Sequence, residues 1–189
     1  MAVTADEVGA RPMPRHPGPE AVGDAPGFSA YVREVADLCD SCGDDRIAIH
    51  VGRALRRLVG TADWLPRSCC APGDDNYRRH LLYGDPAGRF TVLAVVWRPG
   101  QGTPVHGHTA WGAVGVYRGN PSVANYRLSR DGGLELACEA TCRPGDISCV
   151  QRGTAYPHRV FNASGDIAVT VHTYGRDLVR DPAAINIPV

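Results

Sequence analysis

Three histidines in the chain have a spacing suited to metal binding. His106-Gly107-His108 follows a Gly- and Pro-rich turn, and residues two apart in a β-strand point to the same face, so both imidazoles would project together. His158 lies at the start of another predicted strand. A lone His-x-His pattern can arise by chance on an exposed strand, but neutral imidazoles from two strands are good ligands for iron, zinc, copper or nickel. His106 and His108 are therefore predicted to bind one metal ion together, and His158 is the candidate for its third ligand.

A second polar series lies further along the sequence. Thr170, His172 and Tyr174 alternate along another predicted strand, so their side chains share one face. Hydroxyl and imidazole groups on one face can hydrogen-bond to one another; the alternative is a simple aromatic lining of a barrel. Ordinary structural roles are predicted for the other aromatic and histidine candidates, which are Trp97, Trp111, His16, His50 and His80.

A regular β-scaffold is needed to hold these side chains together. From Tyr77 onward, short runs of apolar and β-branched residues alternate with turn signals such as Gly-Asp-Pro and Asp-Gly-Gly. The predicted strands are Tyr77–Tyr83, Phe90–Trp97, Gly112–Tyr117, Ser122–Leu128, Leu134–Thr141, Asp146–Val150, Pro157–Asn162 and Ile167–Tyr174. About eight strands at this spacing predict a mostly β fold, a closed antiparallel barrel or jelly roll.

Upstream of the barrel the pattern is helical. Apolar residues recur at helical spacing from Gly27 to Val59, and Gly43-Asp44-Asp45 separates two predicted helices that would pack outside one face of the barrel. The segment from Trp64 to Asp75 is predicted to be a loop. The predicted organisation is a disordered leader over 1–25, a helical segment and loop over 26–76, and a barrel over 77–189 that forms one domain with 26–76.

Charge and composition argue against several classes of partner. The formal net charge is 0, so the chain lacks the basic footprint of a protein that binds nucleic acid or an anionic membrane. No apolar run approaches the roughly 18 residues of a transmembrane helix. The first residues also lack the apolar core of a secretory signal. A cytoplasmic protein with a small-molecule partner is expected, and the sequence indicates no oligomeric state.

The seven cysteines are predicted to be reduced thiols. An odd count without a secretory signal argues against a disulfide framework. Cys39 and Cys42, followed by the adjacent pair Cys69 and Cys70, leave a structural zinc site as an alternative. Zinc ligands in such motifs are usually separated by about two residues, which the second pair is not. Isolated thiols on a helical segment are the favoured interpretation.

The region from Tyr77 to Tyr174 resembles the cysteine dioxygenase family of thiol dioxygenases, within the cupin superfamily. The matching pieces are Tyr77–Leu82, Phe90–Trp97, His106–Thr109, His158–Val160 and Thr170–Tyr174. The usual cupin motif places a Glu ligand a few residues after the His pair, whereas no carboxylate occurs between His108 and Gly119 here. The resemblance implies a cupin barrel whose three histidines bind Fe(II) and which adds dioxygen to a small thiol, giving a sulfinate.

The resemblance also implies how the substrate is held. Arg79 corresponds to the residue that pairs with the substrate carboxylate in the cysteine-specific branch, and Tyr77 would contribute to the same subsite. In the branch that prefers 3-mercaptopropionate, this position resembles Gln. L-Cysteine is therefore the expected substrate, with 3-mercaptopropionate or another small thiol as the alternative. Arg78 would take the place of Arg79 if the strand register slipped by one residue.

The polar series on the last strand matches a family feature. Thr170, His172 and Tyr174 correspond to a Ser-His-Tyr relay in which the Tyr hydroxyl lies beside the iron, with Thr in place of Ser. Animal enzymes also carry a cysteine cross-linked to that tyrosine. This chain has Gly112 or Ala113 there, so no thioether is expected. Since 15 residues follow Tyr174, fewer than in many relatives, a different lid over the site is expected.

Two other classes of function stay open at this point. The chain could be a non-catalytic cupin that senses a small ligand or stores a metal, because a shared fold does not determine function. It could also be a different cupin enzyme, such as an isomerase that uses zinc or manganese. The relay-like series favours an enzyme.

Overall fold

Two α-helices precede the barrel in the part of the chain that the computed structural model describes, which is Val22 and residues 25–189. Helix α1 spans Pro26–Ser41 and helix α2 spans Asp44–Val59. Proline is tolerated in the first turn of α1 because its missing N–H has no intrahelical partner there. The predicted leader lies outside the described residues apart from Val22 and Ala25, and so does His16.

The helices bury one apolar stripe against the barrel. Val35, Val51 and Leu55 are fully buried, as the helical spacing predicts. Ile49 is an apolar residue of α2 but lies outside this stripe and is 47% exposed. The segment predicted to be a loop also contains a short 3₁₀ helix, Arg67–Cys70. None of the described helices is long and apolar enough to cross a membrane.

The barrel consists of two five-stranded antiparallel sheets. The first sheet has the order β1-β2-β9-β4-β7 and the second β10-β3-β8-β5-β6. The strands are β1 Arg78–Gly84, β2 Thr91–Trp97, β3 His106–His108, β4 Gly112–Arg118, β5 Ser122–Leu128, β6 Leu134–Thr141, β7 Ile147–Val150, β8 Gly153–Phe161, β9 Ala168–Tyr174 and β10 Asn186–Pro188. This topology is a cupin-type jelly roll with helices outside it, and it confirms the predicted fold class.

Seven of the eight predicted strands agree with the structure to one residue at each end. The exception is β8, which begins at Gly153 rather than at Pro157. A proline cannot donate a ladder hydrogen bond and is usual at the first residue of a strand, yet Pro157 lies inside β8. Strand β10 was not predicted at all, because three residues are too short to show an alternating pattern. The predicted division of the chain at residue 76 stays a prediction; it falls in the coil before β1.

The first sheet is buried on both faces. On β2, Val92, Ala94 and Val96 belong to the core shared with the helices, whereas Leu93, Val95 and Trp97 belong to a second core between the sheets. Every residue of β9 is buried as well. Strand alternation therefore divides β2 and β9 into a helix-facing and a cavity-facing set of side chains.

A buried hydrogen bond connects the helices to the strand that carries the polar series. Tyr31 of α1 and Thr173 of β9 lie with their hydroxyl oxygens 2.5 Å apart. Burial raises the pKa of Tyr31, so the phenol stays protonated and able to hydrogen-bond. Thr173 lies between His172 and Tyr174 but points to the opposite face. Helix α1 therefore contacts the helix-facing side of β9 through Thr173. The residues on either side of Thr173, His172 and Tyr174, face the cavity.

Candidate metal centre

Strands β3 and β8 bring the three histidines together. His106 pairs directly with His158 across the two strands, and His108 pairs with Gly153, with a register shift between them. Gly107 separates the two histidines of β3. A Cβ atom at Gly107 would overlap the Gly153 carbonyl oxygen and Thr154. The residue between the two ligands is therefore a glycine because the strands approach closely there.

The three imidazoles form a compact buried group. Their ring centroids lie 4.9 Å apart for His106 and His108, 4.7 Å for His106 and His158, and 4.9 Å for His108 and His158. One nitrogen from each ring lies within 4.8 Å of the other two. Their exposed fractions are 4%, 2% and 6% in chain order. The structure thus places all three predicted ligands around one point.

Hydrogen bonds at the outer nitrogens direct these rings. His106 Nδ1 lies 2.9 Å from the Pro104 carbonyl oxygen, which can only accept, so Nδ1 carries the proton and Nε2 is left with its lone pair. His158 also has a hydrogen bond to the backbone of Tyr156. The Nε2 atoms of His108 and His158 lie 3.3 Å apart, and the buried Nδ1 of His108 has no hydrogen-bond partner.

The electrostatics keep these imidazoles neutral. Burial lowers the pKa of His106, lowers the pKa of His108 to about 2 and lowers the pKa of His158 to about 4. Mutual repulsion among the charged forms acts in the same direction. Neutral imidazole is the form that binds a metal. The group is therefore ready to act as a ligand at physiological pH without prior loss of a proton.

The donor set fits a divalent transition metal. Two nitrogens that each lie about 2.1 Å from one ion, at angles between octahedral and tetrahedral, are about 3.0–3.4 Å apart. The 3.3 Å separation of the His108 and His158 Nε2 atoms falls in this range. Among the described residues this is the one group of three or more His, Cys, Asp or Glu side chains close enough to share a metal. The alternative zinc site on the cysteines is not formed, and none of the seven cysteines forms a disulfide.

The polar series on β9 forms a continuous set of hydrogen bonds. Thr170 Oγ1 lies 2.7 Å from His172 Nε2, and His172 Nδ1 lies 2.9 Å from the Tyr174 hydroxyl. Burial lowers the pKa of His172 to about 3 and raises the pKa of Tyr174. His172 is therefore neutral and Tyr174 keeps its proton. The Tyr174 ring stacks on His108 with centroids 5.6 Å apart, so the series ends next to the metal group.

Sequence reasoning missed two contributors to the site. Trp97 was assigned only to the core or a pocket wall, yet its indole N–H donates to Thr170 Oγ1 at 2.9 Å. The pattern of β2 shows that Trp97 faces inward but not which polar atom it reaches. Ile185 and Asn186, from the start of β10, also line the cavity. Asn186 pairs in register with His108, which no local sequence signal indicates.

Arg79 and Tyr77 lie on another wall of the cavity. Arg79 pairs with Val95 and shares its inward face, whereas Arg78 pairs with Val96 and faces the helices. The register therefore places Arg79, and not Arg78, at the cavity. Arg79 Nη2 donates to the Tyr77 hydroxyl at 3.2 Å. Within residues 25–189, no carboxylate forms an ion pair with Arg79.

The space between these groups is small and mostly apolar. It measures about 30 Å³, room for about two water molecules. Leu93, Val95, Val160 and Ile185 contribute apolar walls, and the cavity-lining residues in the described part of the chain include no carboxylate. A ligand larger than this volume requires its walls to move, and the short strand β10 is the least extensively paired of them.

Gly112 lies against the ring of Tyr174, with which it pairs in register. A Cβ atom there would lie 2.6 Å from Tyr174 Cδ1 and 2.8 Å from Val150 Cγ2. Ala113, by contrast, belongs to the helix-facing core. Of the two positions Gly112 and Ala113, Gly112 is therefore the one that lies against Tyr174, and it has no side chain with which to form a thioether.

Replacing Gly112 with alanine is expected to destabilise the fold and displace the Tyr174 ring. Overpacking of this kind costs about 1–3 kcal/mol, which a urea unfolding curve measures through its midpoint. Gly165→Ala is the matched control, because nothing lies within 4 Å of a Cβ atom at Gly165. Equal stability of the two alanine variants would contradict the contact between Gly112 and Tyr174.

Comparison with known proteins places these features beside several solved structures. No known protein-family model matches the chain. It is similar to a protein of Thermus thermophilus, with 19% identity, 58% of this chain and 92% of that chain covered, and a TM-score of 0.47. It is similar to an oxalate oxidase in complex with glycolate, with 22% identity, 57% and 56% coverage and a TM-score of 0.45, so it spans little more than half of that chain. It is also similar to a cupin-superfamily sugar phosphate isomerase of Silicibacter pomeroyi, with 24% identity, 54% and 60% coverage and a TM-score of 0.41.

Proposed function

We propose that this protein is an Fe(II)-dependent thiol dioxygenase that oxidises a small carboxylate-bearing thiol, L-cysteine in the first place, to its sulfinic acid. The observation that carries the proposal is a buried three-histidine group flanked by Arg79 and by the Tyr174 hydroxyl. In the reaction, one dioxygen adds to one thiol. The S–H and O–O bonds break, two S–O bonds form, and the proton passes to the sulfinic acid or to solvent. Sulfur is oxidised and dioxygen reduced, so no other reductant is needed.

His106, His108 and His158 would hold the iron. Fe(II) would supply a redox-active centre through which dioxygen can react with a thiol, which redox-silent zinc cannot do. The three neutral imidazoles add no negative charge to such an ion, and within residues 25–189 no carboxylate of the cavity walls occupies a further ligand position. The open positions are therefore available to small ligands.

Arg79 supplies the recognition of the substrate carboxylate. A guanidinium offers a planar pair of donors that matches a carboxylate. In the described part of the chain, its one side-chain hydrogen bond goes to the Tyr77 hydroxyl. The other N–H donors of Arg79 are left for a ligand. Because no carboxylate among the described residues forms an ion pair with Arg79, a ligand carboxylate would neutralise its positive charge. Tyr77 orients the guanidinium from the side, with its ring 5.5 Å from the Arg79 Cζ.

Tyr174 provides a protonated hydroxyl near this subsite. Burial raises the pKa of Tyr174, and contact with His108 holds the ring beside the metal group. The walls around this hydroxyl are mostly apolar, and a hydrogen bond that it makes there is stronger than one made in water. Tyr174 would therefore orient the substrate or stabilise negative charge that develops on oxygen during the reaction.

One observation favours 3-mercaptopropionate as a second candidate substrate. L-Cysteine carries an ammonium group, and none of the described residues that line the cavity is a carboxylate that could pair with it. A buried charge without a partner costs free energy. A thiol with a carboxylate and no amino group avoids this cost while keeping the interaction with Arg79.

The experiment that tests the function is oxygen uptake by protein reconstituted anaerobically with Fe(II). L-Cysteine, 3-mercaptopropionate and cysteamine form the panel, with the sulfinate product identified by mass spectrometry. We expect one dioxygen consumed per sulfinate formed with either carboxylate-bearing thiol and slow or no turnover of cysteamine. Fully iron-loaded protein that consumes no oxygen with any thiol would instead support a non-catalytic metal-binding cupin.

Replacing Arg79 with Gln is expected to raise the KM for carboxylate-bearing thiols by about 10- to 100-fold, since a charged hydrogen bond contributes roughly 1.5–3 kcal/mol. The iron content should not change, because Arg79 is not a ligand. Steady-state oxygen uptake and metal analysis measure the two quantities. Arg78→Gln is the control, since Arg78 faces the helices. Loss of iron from the Arg79 variant, or a larger KM effect at Arg78, would contradict the assignment.

A further inference from the structure

We propose that the indole N–H of Trp97 sets the direction of the hydrogen bonds from Thr170 through His172 to Tyr174, so that Tyr174 presents its hydroxyl proton to the cavity. Trp97 is thus a positioning residue that acts through Thr170. The inference rests on the proposed function for its effect on turnover, but the hydrogen-bond direction itself is a property of the folded chain.

The first step is the contact between Trp97 and Thr170. Trp97 is 1% exposed, and its Nε1 lies 2.9 Å from Thr170 Oγ1. An indole N–H can donate but cannot accept, so the Thr170 oxygen is the acceptor. In register, Thr170 pairs with Val95 and Trp97 pairs with Ala168. The indole therefore reaches diagonally across β2 and β9, as large aromatic side chains can.

The second step concerns the proton of the Thr170 hydroxyl. It has two possible acceptors, the Val95 carbonyl oxygen at 3.5 Å and His172 Nε2 at 2.7 Å. The shorter contact has the length of a strong hydrogen bond, and the longer one lies at the limit of one. Donation by Trp97 into the Thr170 oxygen also strengthens the onward donation by its hydroxyl. The Thr170 proton is therefore directed at His172 Nε2.

The third step follows from the chemistry of a neutral imidazole. His172 is 5% exposed and has a single ring proton in its neutral form. Because Nε2 accepts from Thr170, the proton is on Nδ1. Nδ1 then donates to the Tyr174 oxygen, 2.9 Å away. The Tyr174 hydroxyl proton is left free to point away from His172.

The direction matters for what the cavity can bind. With His172 as donor, Tyr174 offers a proton to a carboxylate or to an oxygen that gains negative charge. In the reverse direction Tyr174 would donate to His172 and turn only lone pairs toward the cavity, which would repel the same groups. Without Trp97 the Thr170 oxygen loses one donor, and its own hydroxyl then donates less strongly to His172. The reverse direction, in which Thr170 accepts from His172 and donates to the Val95 carbonyl, therefore gains population.

A direct test reads the protonated nitrogen of His172 by long-range ¹H–¹⁵N correlation in metal-free protein labelled at histidine. We expect Nδ1 to carry the proton in the native chain and the Nε2-protonated form to gain population in Trp97→Phe. Trp64→Phe is the matched control, because the Trp64 indole N–H is buried and has no hydrogen-bond partner; it should leave the His172 spectrum unchanged. An Nε2 proton in the native chain would overturn the proposal even if Trp97→Phe did not fold, as would an unchanged tautomer in a folded Trp97→Phe.

Kinetics of the iron-loaded protein provide the second readout. Trp97→Phe should lower kcat about tenfold, the effect of one lost hydrogen bond in a buried network, with KM changed less than kcat. Thr170→Ser, which keeps the hydroxyl, should retain most activity, whereas Thr170→Val should not. In Thr170→Val, adding Trp97→Phe should cause no further loss, because Trp97 acts through Thr170. Multiplicative losses in the double variant would overturn the positioning role. Inactivity of every form with every thiol, together with the expected tautomer, would contradict the proposed function alone.

Discussion

Replacing any one of His106, His108 or His158 with alanine is expected to remove one-to-one metal binding and to lower thiol-dependent oxygen uptake by about a thousandfold or more. Each imidazole contributes one of three donors, and no nearby carboxylate or thiol in the described part of the chain can take its place. A two-donor site binds a divalent metal weakly. Metal content after anaerobic reconstitution and desalting, followed by oxygen uptake, measures both effects.

The matched control is His50→Ala. His50 lies on α2, is half-buried, and is not one of the residues that line the cavity. The His50→Ala variant should bind metal and consume oxygen as the native chain does. Retention of a full equivalent of metal by any of the three ligand variants would contradict a site built from those imidazoles. Loss of activity with full metal retention would assign that histidine a role other than ligand.

The spacing of the ligands could be predicted from the sequence because it follows from local geometry. His106 and His108 are two apart, and strand periodicity alone places them on one face. Likewise, the alternation in β9 separates His172 and Tyr174 from Thr173. The meeting of β3 with β8 is a property of chain closure over about 50 residues, and it was the resemblance to a known family, rather than periodicity, that selected His158.

Other parts of the site depend on contacts that no local pattern encodes. The choice between Arg78 and Arg79 turns on a one-residue register, which is fixed by the pairing of β1 with β2. The donation from Trp97 to Thr170 is a diagonal contact between two strands far apart in sequence. Strand β10 is only three residues long, so its place beside β3 could come only from the three-dimensional structure.

The stability of the metal-free protein is expected to fall steeply as the pH is lowered from about 7 to about 5. Burial lowers the pKa of His108 to about 2, of His158 to about 4 and of His172 to about 3, from an ordinary value of 6.5. Below pH 6.5 the unfolded chain binds protons at these histidines and the folded chain does not. Since the unfolded state then binds more protons, acid favours unfolding. Above about pH 7 both states are neutral at these positions, and they contribute no pH dependence.

The size of the effect follows from the same linkage. For each histidine that stays neutral in the folded chain, the free energy of unfolding is about 2 kcal/mol lower at pH 5 than at neutral pH. Three such groups together approach the roughly 5–15 kcal/mol total stability of a typical domain. Urea unfolding at several pH values between 7.5 and 5 measures the slope, and His158→Asn should reduce it by about one third.

Metal loading should change this pH dependence in a defined way. A metal that binds the folded chain adds stability near neutral pH. Because protons compete with the metal for the same nitrogens, that added stability is lost as the pH falls. The loaded protein should therefore be more stable at pH 7.5 and lose stability more steeply, as the pH falls, than the metal-free form.

The outcome that would contradict the prediction for the metal-free protein is a stability that stays constant between pH 7 and 5. It would mean that the imidazoles take up protons within the fold. The three ligand imidazoles, which are packed this closely, could not then all be neutral.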